Sequence, residues 1–236
     1  MKTILKKINF ITVMKSNNTG SGKDPYKRFS KWYDSIFEPL NSGLRAIGMK
    51  MFPPQAGMKV LDIGCGTGAH LKLYQNAGCE VYGVDASPSM FGQAKEKLGE
   101  EANLHFGDAS NMPYPDNQFD LITSSTVLHE MAAAVRSNVL KEAKRVLKKD
   151  GHILLIDFHS GPLKPLKGWF YKIIITIAEI SAGRKHFKNY RQFMRSGGLD
   201  ALIEKHGLII EQRKILSGGN MVIYILQKNK EDENEK

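Results

Sequence analysis

The sequence predicts an α/β fold, namely a doubly wound, mostly parallel sheet with helices on both faces and a C-terminal antiparallel hairpin. Three observations carry this prediction. Short apolar, β-type runs alternate with helical patterns between residues 60 and 158, and such alternation is typical of a parallel sheet that is covered on both faces. Closely spaced glycines follow the first β-type run, so the chain can turn sharply there. Two β-type runs near the C-terminus are joined so tightly that they must be antiparallel.

The first predicted element is a helix over residues 26–51, because aromatic and aliphatic residues recur on one side at helical spacing and two prolines follow at positions 53 and 54. Strands are then predicted from short apolar runs, and helices from the longer stretches between them. These strands cover residues 60–63, 81–84, 104–106, 119–123 and 153–158, and the helices cover residues 68–77, 89–98 and 132–147. The alternation then breaks over residues 161–189. A helix at 190–206 and strands at 208–216 and 221–226 complete the prediction.

Length and composition indicate one domain. A chain of 236 residues with 42% hydrophobic and 25% charged residues is long enough to bury a core. We expect the domain at residues 25–227, with an extension at residues 1–24, a lid or insertion at about residues 161–189, and a disordered charged tail at residues 228–236. The amphipathic residues 1–15 are compatible with a secretory signal, an interfacial helix, or a true start at Met14.

Cysteine content and hydropathy indicate a cytoplasmic protein. Cys65 and Cys79 offer neither a disulfide framework nor the spacing of a zinc site, so we expect a reducing compartment and no metal. Cys65 lies inside the glycine turn, where a packed side chain is expected rather than a nucleophile. The longest apolar run, residues 169–180, contains Lys172 and Glu179 and is too short to span a bilayer.

The basic charge is concentrated in residues 163–195. The chain has a net charge of +10, and this segment holds eight basic residues against one acidic residue. Such a patch attracts anions, whether a phosphorylated substrate, a lipid head group or a nucleic acid. A solvated face is an equally good interpretation.

Candidate binding residues follow the predicted strands, because ligands of such sheets bind at the carboxyl ends of the strands. The first strand ends in Asp62 and the glycine turn, the second in Asp85, and the third in Asp108. Asp85 can accept hydrogen bonds from two ribose hydroxyls, and Asp108 can accept one from an exocyclic adenine amine. Each acid by itself is ordinary, because Asp often caps a following helix, but three acids at successive strand ends are much less ordinary.

In this order the motifs resemble those of the class I S-adenosylmethionine-dependent methyltransferases, whose fold is Rossmann-like. The resemblance rests on VLDIGCGTG at residues 60–68, VDAS at 84–87, the third and fourth motifs within residues 107–120, and LKEAKRVLKKDG at 140–151. It covers roughly residues 26–227 and is closest to the small-molecule branch, which includes ubiquinone/menaquinone-biosynthesis, phospholipid and sterol methyltransferases. It implies S-adenosyl-L-methionine as cofactor, S-adenosyl-L-homocysteine as product, and methyl transfer to a small acceptor by in-line displacement. The cofactor contacts that it implies are Tyr33, Asp62, Gly64, Gly66, Gly68, Asp85, Ala86, Met90, Asp108, Ala109 and Ser124.

Other functions stay open from the residues alone. The glycines, with Asp85 at the expected distance, also satisfy the dinucleotide pattern of an NAD-dependent oxidoreductase. Asp62 argues against that alternative, because a carboxylate beside the turn suits a cationic amino-acid cofactor better than a pyrophosphate. A non-catalytic S-adenosylmethionine-binding module would carry the same motifs. A nucleic-acid target is disfavoured, because residues 124–127 read SSTV where base N-methylating enzymes carry an Asn/Asp-Pro-Pro-aromatic motif.

The candidate catalytic residues are His129 and His159. Each follows a strand end, and the ordinary pKa of histidine suits a general base. His129 is equally well explained as a helix-start residue or a lid over the methionine moiety. We hypothesise that residues 161–189 form an apolar acceptor pocket with a basic rim, for a lipid-like or anionic acceptor, and that residues 163–195 contact a membrane peripherally. A core helix or a dimer contact is the competing interpretation.

Overall fold

A computed structural model describes residues 30–229, with the side chains of residues 41–229. Its helices are α1 (Ser30–Met51), α2 (Ala69–Asn76), α3 (Pro88–Leu98), α4 (Ala133–Val146), α5 (Lys167–Ser181), α6 (Arg184–Arg195) and α7 (Gly198–Lys205). Its strands are β1 (Lys59–Ile63), β2 (Glu80–Asp85), β3 (Asn103–Phe106), β4 (Phe119–Ser125), β5 (Leu147–Phe158), β6 (Leu208–Leu216) and β7 (Met221–Lys228). Two 3₁₀ turns, Leu128–Glu130 and Ser217–Gly219, follow β4 and β6. The predicted extension at residues 1–24 and most of the predicted tail lie outside the described residues.

The strands form one sheet in the order β3-β2-β1-β4-β5-β7-β6. Strands β1 to β5 pair in parallel, whereas β7 is antiparallel to both β5 and β6. The predicted doubly wound, mostly parallel sheet with a C-terminal antiparallel hairpin is therefore confirmed. The strand order reverses between β1 and β4, so the carboxyl ends of these two strands flank a crevice of the kind in which ligands bind.

Burial explains why the central strands are continuously apolar. Residues 153–158 of β5 are all buried, as are residues 60–63 of β1, because a parallel sheet inside an α/β domain is covered on both faces. Asp62 and Asp157 are the acidic residues within these buried stretches. Both lie near the carboxyl end of their strands, where the candidate site is found.

The segment after β5 differs from the prediction. Residues 161–189, expected to be irregular, contain α5 and the first half of α6. Apolar residues occupy most positions of α5, so no narrow helical stripe stands out in the sequence. The single helix predicted at residues 190–206 is wrong, because Gly197 and Gly198 adopt positive φ values of 98° and 64° and separate α6 from α7.

Hydropathy agrees with the expectation for residues 169–180. None of the helices between residues 30 and 229 is long and apolar enough to cross a membrane.

Candidate active site

The turn after β1 brings backbone amides to the carboxyl edge of the sheet. Gly64, Gly66 and Gly68 have positive φ values of 67°, 56° and 75°, which glycine adopts without steric cost. A Cβ on Gly64 would lie 2.5 Å from the side chain of Val127, whereas a Cβ on Gly66 would meet no described atom within 4 Å. The space next to Gly66 is therefore open to a ligand that lies against the backbone.

Asp85, at the end of β2, links this turn to the next helix. Its Oδ2 accepts a hydrogen bond from the Gly66 amide, and its Oδ1 accepts one from the Ser87 amide, each at 2.8 Å. Ser87 in turn caps α3, because its Oγ accepts a hydrogen bond from the Met90 amide. Burial raises the pKa of Asp85, and the two amide donors offset part of this rise. A carboxylate has about four acceptor positions, so further donors can still bind here.

Asp62, at the end of β1, is 2% exposed and lies beside a histidine that no sequence motif singles out. Its Oδ1 accepts a hydrogen bond from Thr123 Oγ1 at 2.7 Å. The Nδ1 atom of His70 is 3.8 Å from the same oxygen, and both ring nitrogens of His70 are buried without a hydrogen-bond partner among residues 30–229. A histidine near the start of a helix gives no distinct signal in sequence. Its unpaired nitrogens beside Asp62 leave hydrogen-bonding capacity for a polar ligand.

The serines at the end of β4 have different environments. Ser124, which the resemblance implicates, donates a hydrogen bond to the backbone oxygen of Ile63 at 3.1 Å and so links β4 to β1. Ser125 Oγ is buried and has no partner within the described part of the chain. Nothing in the local sequence distinguishes the two serines, but Ser125 is the one whose hydroxyl is available to a ligand.

The remaining expected cofactor residues surround this edge. Met90 and Ala109 are buried, whereas Ala86 is exposed at the start of α3. Asp108 follows β3, and its Oδ1 accepts a hydrogen bond from the Ser110 amide at 2.8 Å. Tyr33 lies in α1, but its side chain is outside the described part of the structure.

Cys65 packs inside the glycine turn, as its small size predicts. Its side chain is 5% exposed. Burial raises the pKa of its thiol well above the ordinary value, and the nearby carboxylates of Asp85 and Asp62 add to the rise. The thiol is therefore protonated at neutral pH and is a poor nucleophile.

His129 lies in the 3₁₀ turn after β4, is 3% exposed, and is held by a carboxylate from β5. Its Nδ1 is 2.7 Å from Asp157 Oδ1, and its backbone amide donates to Asp157 Oδ2 at 3.2 Å. Burial lowers the pKa of His129, but Asp157, Glu179 and Glu130 outweigh burial and raise the pKa to about 9. The surrounding carboxylates therefore favour the charged form of the ring, and the ordinary pKa that the general-base expectation assumed is shifted upward.

Three further groups stand around the Nε2 side of His129. Glu179 of α5 places Oε1 at 3.7 Å from this nitrogen, and Glu130 places Oε1 at 4.0 Å. His186 of α6 binds Glu179 Oε2 through its Nε2 at 2.7 Å, while its Nδ1 is 3.9 Å from Glu130 Oε2. We call His129, Glu130, Asp157, Glu179 and His186 the His/Glu cluster.

His159 has a different environment from His129. Its Nδ1 is 2.9 Å from the backbone oxygen of Gly219, and its Nε2 is 2.8 Å from Arg213 Nη2. The side chain is 3% exposed. Both ring nitrogens are thus engaged, and the residue ties the end of β5 to the hairpin formed by β6 and β7.

Helix α5 has an inverted amphipathic pattern. Lys167, in its first turn, is exposed, but the two charged residues in the rest of the helix face the protein: Lys172 Nζ donates to the Tyr190 hydroxyl at 3.0 Å, and Glu179 belongs to the His/Glu cluster. Its outer face is apolar, with Trp169 62% exposed and Ile173 58% exposed. The other exposed apolar residues of this face are Phe170, Ile174, Ile177 and Ile180. A contiguous apolar face of this kind is typical of a binding surface.

Helix α6, next to this face, carries a row of basic residues. Arg184, Lys188, Arg191 and Arg195 recur at helical spacing and line an open groove against the start of α4. Part of the predicted concentration of charge in residues 163–195 therefore lines a basic groove between α6 and the start of α4.

The chain is similar to known methyltransferases over most of its length. The family model described as "Methyltransferase domain" matches residues 61–155. The ubiquinone/menaquinone biosynthesis C-methyltransferase UbiE of Laribacter hongkongensis is 32% identical over 170 residues, which are 66% of this chain and 68% of that protein. The UbiE protein of Cupriavidus metallidurans is 27% identical over 93% of this chain and 97% of its own length.

Solved structures show the same fold. The structure of an S-adenosylmethionine-dependent methyltransferase from Aquifex aeolicus aligns with a TM-score of 0.61, at 21% identity, over 87% of this chain and 98% of that one. At this identity the likeness concerns the fold.

Proposed function

Because the chain belongs to the class I S-adenosylmethionine-dependent methyltransferases, we propose that it methylates a lipid-like acceptor of the quinol type that it takes from an anionic membrane surface. That it is an enzyme of this family, with S-adenosylmethionine as cofactor and a small-molecule acceptor, follows from the family itself. The proposal concerns the acceptor, the membrane and the roles of individual residues.

The residues at the sheet edge fit this cofactor. Glycine at position 66 leaves open the space that the Cβ of any other residue would enter. Buried polar side-chain atoms of His70 and Ser125 lack hydrogen-bond partners in the described structure. When bound, the cofactor supplies an electrophilic methyl group on a sulfonium sulfur. We propose that Asp85 accepts hydrogen bonds from its ribose hydroxyls, and that Asp62 binds its cationic amino end directly or through water.

The adenine end is expected at the neighbouring strand ends. Asp108 is proposed to accept a hydrogen bond from the exocyclic amine, with Met90 and Ala109 as the apolar walls of the adenine pocket. The burial of Met90 and Ala109 supports this arrangement. The expected contacts of Tyr33 and Ala86 with the cofactor stay predictions.

Of the two candidate catalytic histidines, we propose that His129 is the one that contacts the acceptor. Its Nδ1 is bound by Asp157, and its Nε2 faces Glu179 of α5 at 3.7 Å and Glu130 at 4.0 Å, so an acceptor that binds under α5 would contact this nitrogen. The two engaged nitrogens of His159 favour a structural role for that residue. Methyl transfer is an in-line displacement, so much of the acceleration should come from alignment of the reactants in a site that excludes water.

The inverted pattern of α5 is the observation that carries the acceptor proposal. Lys172 and Glu179 of α5 face inward, and its aromatic and isoleucine residues 169, 170, 173, 174, 177 and 180 are exposed, which suits a surface that meets lipid on one side and a polar reaction site on the other. The basic groove on α6 adds attraction to anionic head groups, at about 1 kcal/mol for each basic residue near such a surface. The two UbiE relatives are named as ubiquinone/menaquinone biosynthesis methyltransferases, which supports the same class of acceptor.

The test combines vesicle binding with kinetics. In one variant the four basic residues that line the groove, Arg184, Lys188, Arg191 and Arg195, are changed to glutamate, which should cost at least roughly 4 kcal/mol, or about a thousandfold, in affinity for phosphatidylglycerol vesicles. We expect the KM for a long-chain quinol in those vesicles to rise in parallel. The KM for a short-chain, water-soluble quinol should stay as in the wild type.

A second pair of variants tests the apolar face. Trp169→Ser with Ile173→Ser should weaken vesicle binding, whereas Ile209→Ser with Ile215→Ser should not, although these two isoleucines of the edge strand β6 are each 45% exposed. Vesicle binding and long-chain KM that are both unchanged in the charge-reversal variant would contradict the membrane proposal. Turnover of neither quinol would contradict the acceptor class and leave the membrane proposal to be judged by vesicle binding.

A further inference from the structure

We propose that His129, Glu130 and His186 bind one first-row divalent transition-metal ion such as Zn²⁺. One ring nitrogen from each histidine and one carboxylate oxygen of Glu130 all lie within 4.8 Å of one another. The ion would bind the Nε2 atom of His129 to which we assign the acceptor, so in the metal-bound protein an acceptor oxygen would meet the ion and not this nitrogen. Binding of the ion can be tested without methyl transfer.

The spacing of the donor atoms fits a metal better than it fits direct pairing. The distances from His129 Nε2 to Glu179 and Glu130, and from His186 Nδ1 to Glu130, are 3.7 to 4.0 Å. These are too long for hydrogen bonds. Two ligands of a tetrahedral ion with bonds of about 2.1 Å are about 3.4 Å apart, so donor atoms that now lie within 4.8 Å of one another would have to approach by up to about 1.4 Å to close the site.

Each histidine is also oriented as a metal ligand usually is. Metal-binding imidazoles almost always hold a carboxylate or carbonyl with the ring nitrogen that does not touch the metal. Here Asp157 binds Nδ1 of His129 and Glu179 binds Nε2 of His186, both at 2.7 Å. The opposite nitrogen of each ring is left on the side of Glu130.

The composition of the site indicates the class of ion. Two imidazoles with one carboxylate suit zinc, iron, nickel or copper, whereas Mg²⁺ and Ca²⁺ prefer oxygen ligands. Two cationic side chains of the described residues near the cluster have other partners: Lys172 bonds to the Tyr190 hydroxyl, and the Arg136 guanidinium bonds to the backbone oxygens of Leu128 and Met131.

An ion at this position would join three elements. His129 and Glu130 come from the turn after β4, His186 comes from α6, and the supporting Glu179 comes from α5. Metal binding would therefore fasten α5 and α6 to the carboxyl edge of the sheet. Three protein ligands leave a coordination position for water or for an acceptor oxygen.

The test uses the full chain after treatment with a chelator and dialysis. We expect one Co²⁺ ion to bind per chain with a visible ligand-field spectrum, to be displaced by one equivalent of Zn²⁺, and to resist a hundredfold excess of Mg²⁺. His186→Gln and Glu130→Gln should each lower the affinity for Co²⁺ at least tenfold. His152→Gln is the matched control, because His152 also contacts a glutamate and its side chain is 19% exposed against 16% for His186.

If Glu130 and His186 only stabilised the fold, Zn²⁺ would not change the melting temperature in a way that depends on them. The melting temperature in the presence of chelator identifies variants that fold normally, and Glu130→Gln serves as the test if His186→Gln does not fold. Zn²⁺ should raise the melting temperature of the wild type and the control but not that of the two cluster variants. Absence of stoichiometric Co²⁺ binding, or binding that is unchanged in both cluster variants, would overturn the proposal.

Discussion

The glycine turn allows backbone strain to be separated from cofactor contact at a single position. Gly66 has a φ of 56°, and a Cβ placed on it would meet no described atom within 4 Å. The change Gly66→Ala therefore introduces no clash in the ligand-free protein. The change lowers the free energy of unfolding only because the alanine must adopt a left-handed backbone conformation.

The magnitude follows from two opposing contributions. A left-handed conformation costs a non-glycine residue about 1–2 kcal/mol, and the lower entropy of the unfolded chain returns about 0.4–1 kcal/mol. We expect a net loss of about 1 kcal/mol in the free energy of unfolding, or about 2–4 °C in the melting temperature of a chain of this size. In the complex, however, the added methyl group would occupy space proposed for the cofactor. Overpacking of this kind costs about 1–3 kcal/mol, or roughly 5- to 150-fold in affinity for S-adenosylmethionine.

Gly207 provides the matched control. It has a φ of 61°, also has nothing within 4 Å of an added Cβ, and lies in the turn between α7 and β6. Gly207→Ala should lower the melting temperature as much as Gly66→Ala does, with S-adenosylmethionine affinity unchanged in calorimetry. Wild-type affinity in Gly66→Ala would refute the proposed placement of the cofactor against the turn.

Three other predictions concern the site and the core. Burial raises the pKa of Asp85, and only the ionised carboxylate accepts hydrogen bonds from two ribose hydroxyls, so affinity for S-adenosylmethionine should begin to fall during acidification at a pH above the ordinary carboxyl value of 3.8. Asp85→Asn should bind S-adenosylmethionine weakly at every pH. Parallel pH profiles of the wild type and this variant in calorimetry would contradict the prediction. Leu155→Ala, in β5, should lower the free energy of unfolding in urea by about 2–5 kcal/mol, because Leu155 is fully buried; a loss below that range would mean that the site collapses around the cavity. His159→Gln should lower the free energy of unfolding by about 1–3 kcal/mol and leave kcat per folded molecule unchanged. His129→Gln should lower kcat. The reverse pattern would reassign the catalytic histidine.

The sequence alone could predict the sheet and the cofactor edge because both depend on local patterns. Strand, turn and helix around Gly64 to Gly68 lie within a few residues of one another, and the positive φ values there are what the glycine spacing allows. Successive strand ends of a parallel sheet meet at one edge, so their order along the chain is enough to assign Asp62 and Asp85 to the same site. The terminal hairpin is predictable for the same reason, from the short connection.

The helices after β5 are less predictable. Apolar residues cover most of α5, so periodicity does not reveal a helix, and the glycines at 197 and 198 divide a stretch whose pattern predicts one helix. Only the tertiary structure decided which face of α5 is exposed, because burial depends on the elements that pack against a helix and not on its own sequence.

The chemistry around His129 depended even more on the tertiary structure. The sequence nominates His129 first and His159 second, but since each follows a strand end, no local pattern shows which one lies among charged partners. The fold then brings Asp157, Glu179 and His186 to His129 from three separate elements, and the charges around this ring set its pKa. Contacts between residues far apart in the chain leave no local pattern. The sequence by itself therefore determined the fold class and the methyl donor, while the tertiary structure decided which polar groups meet and how they ionise.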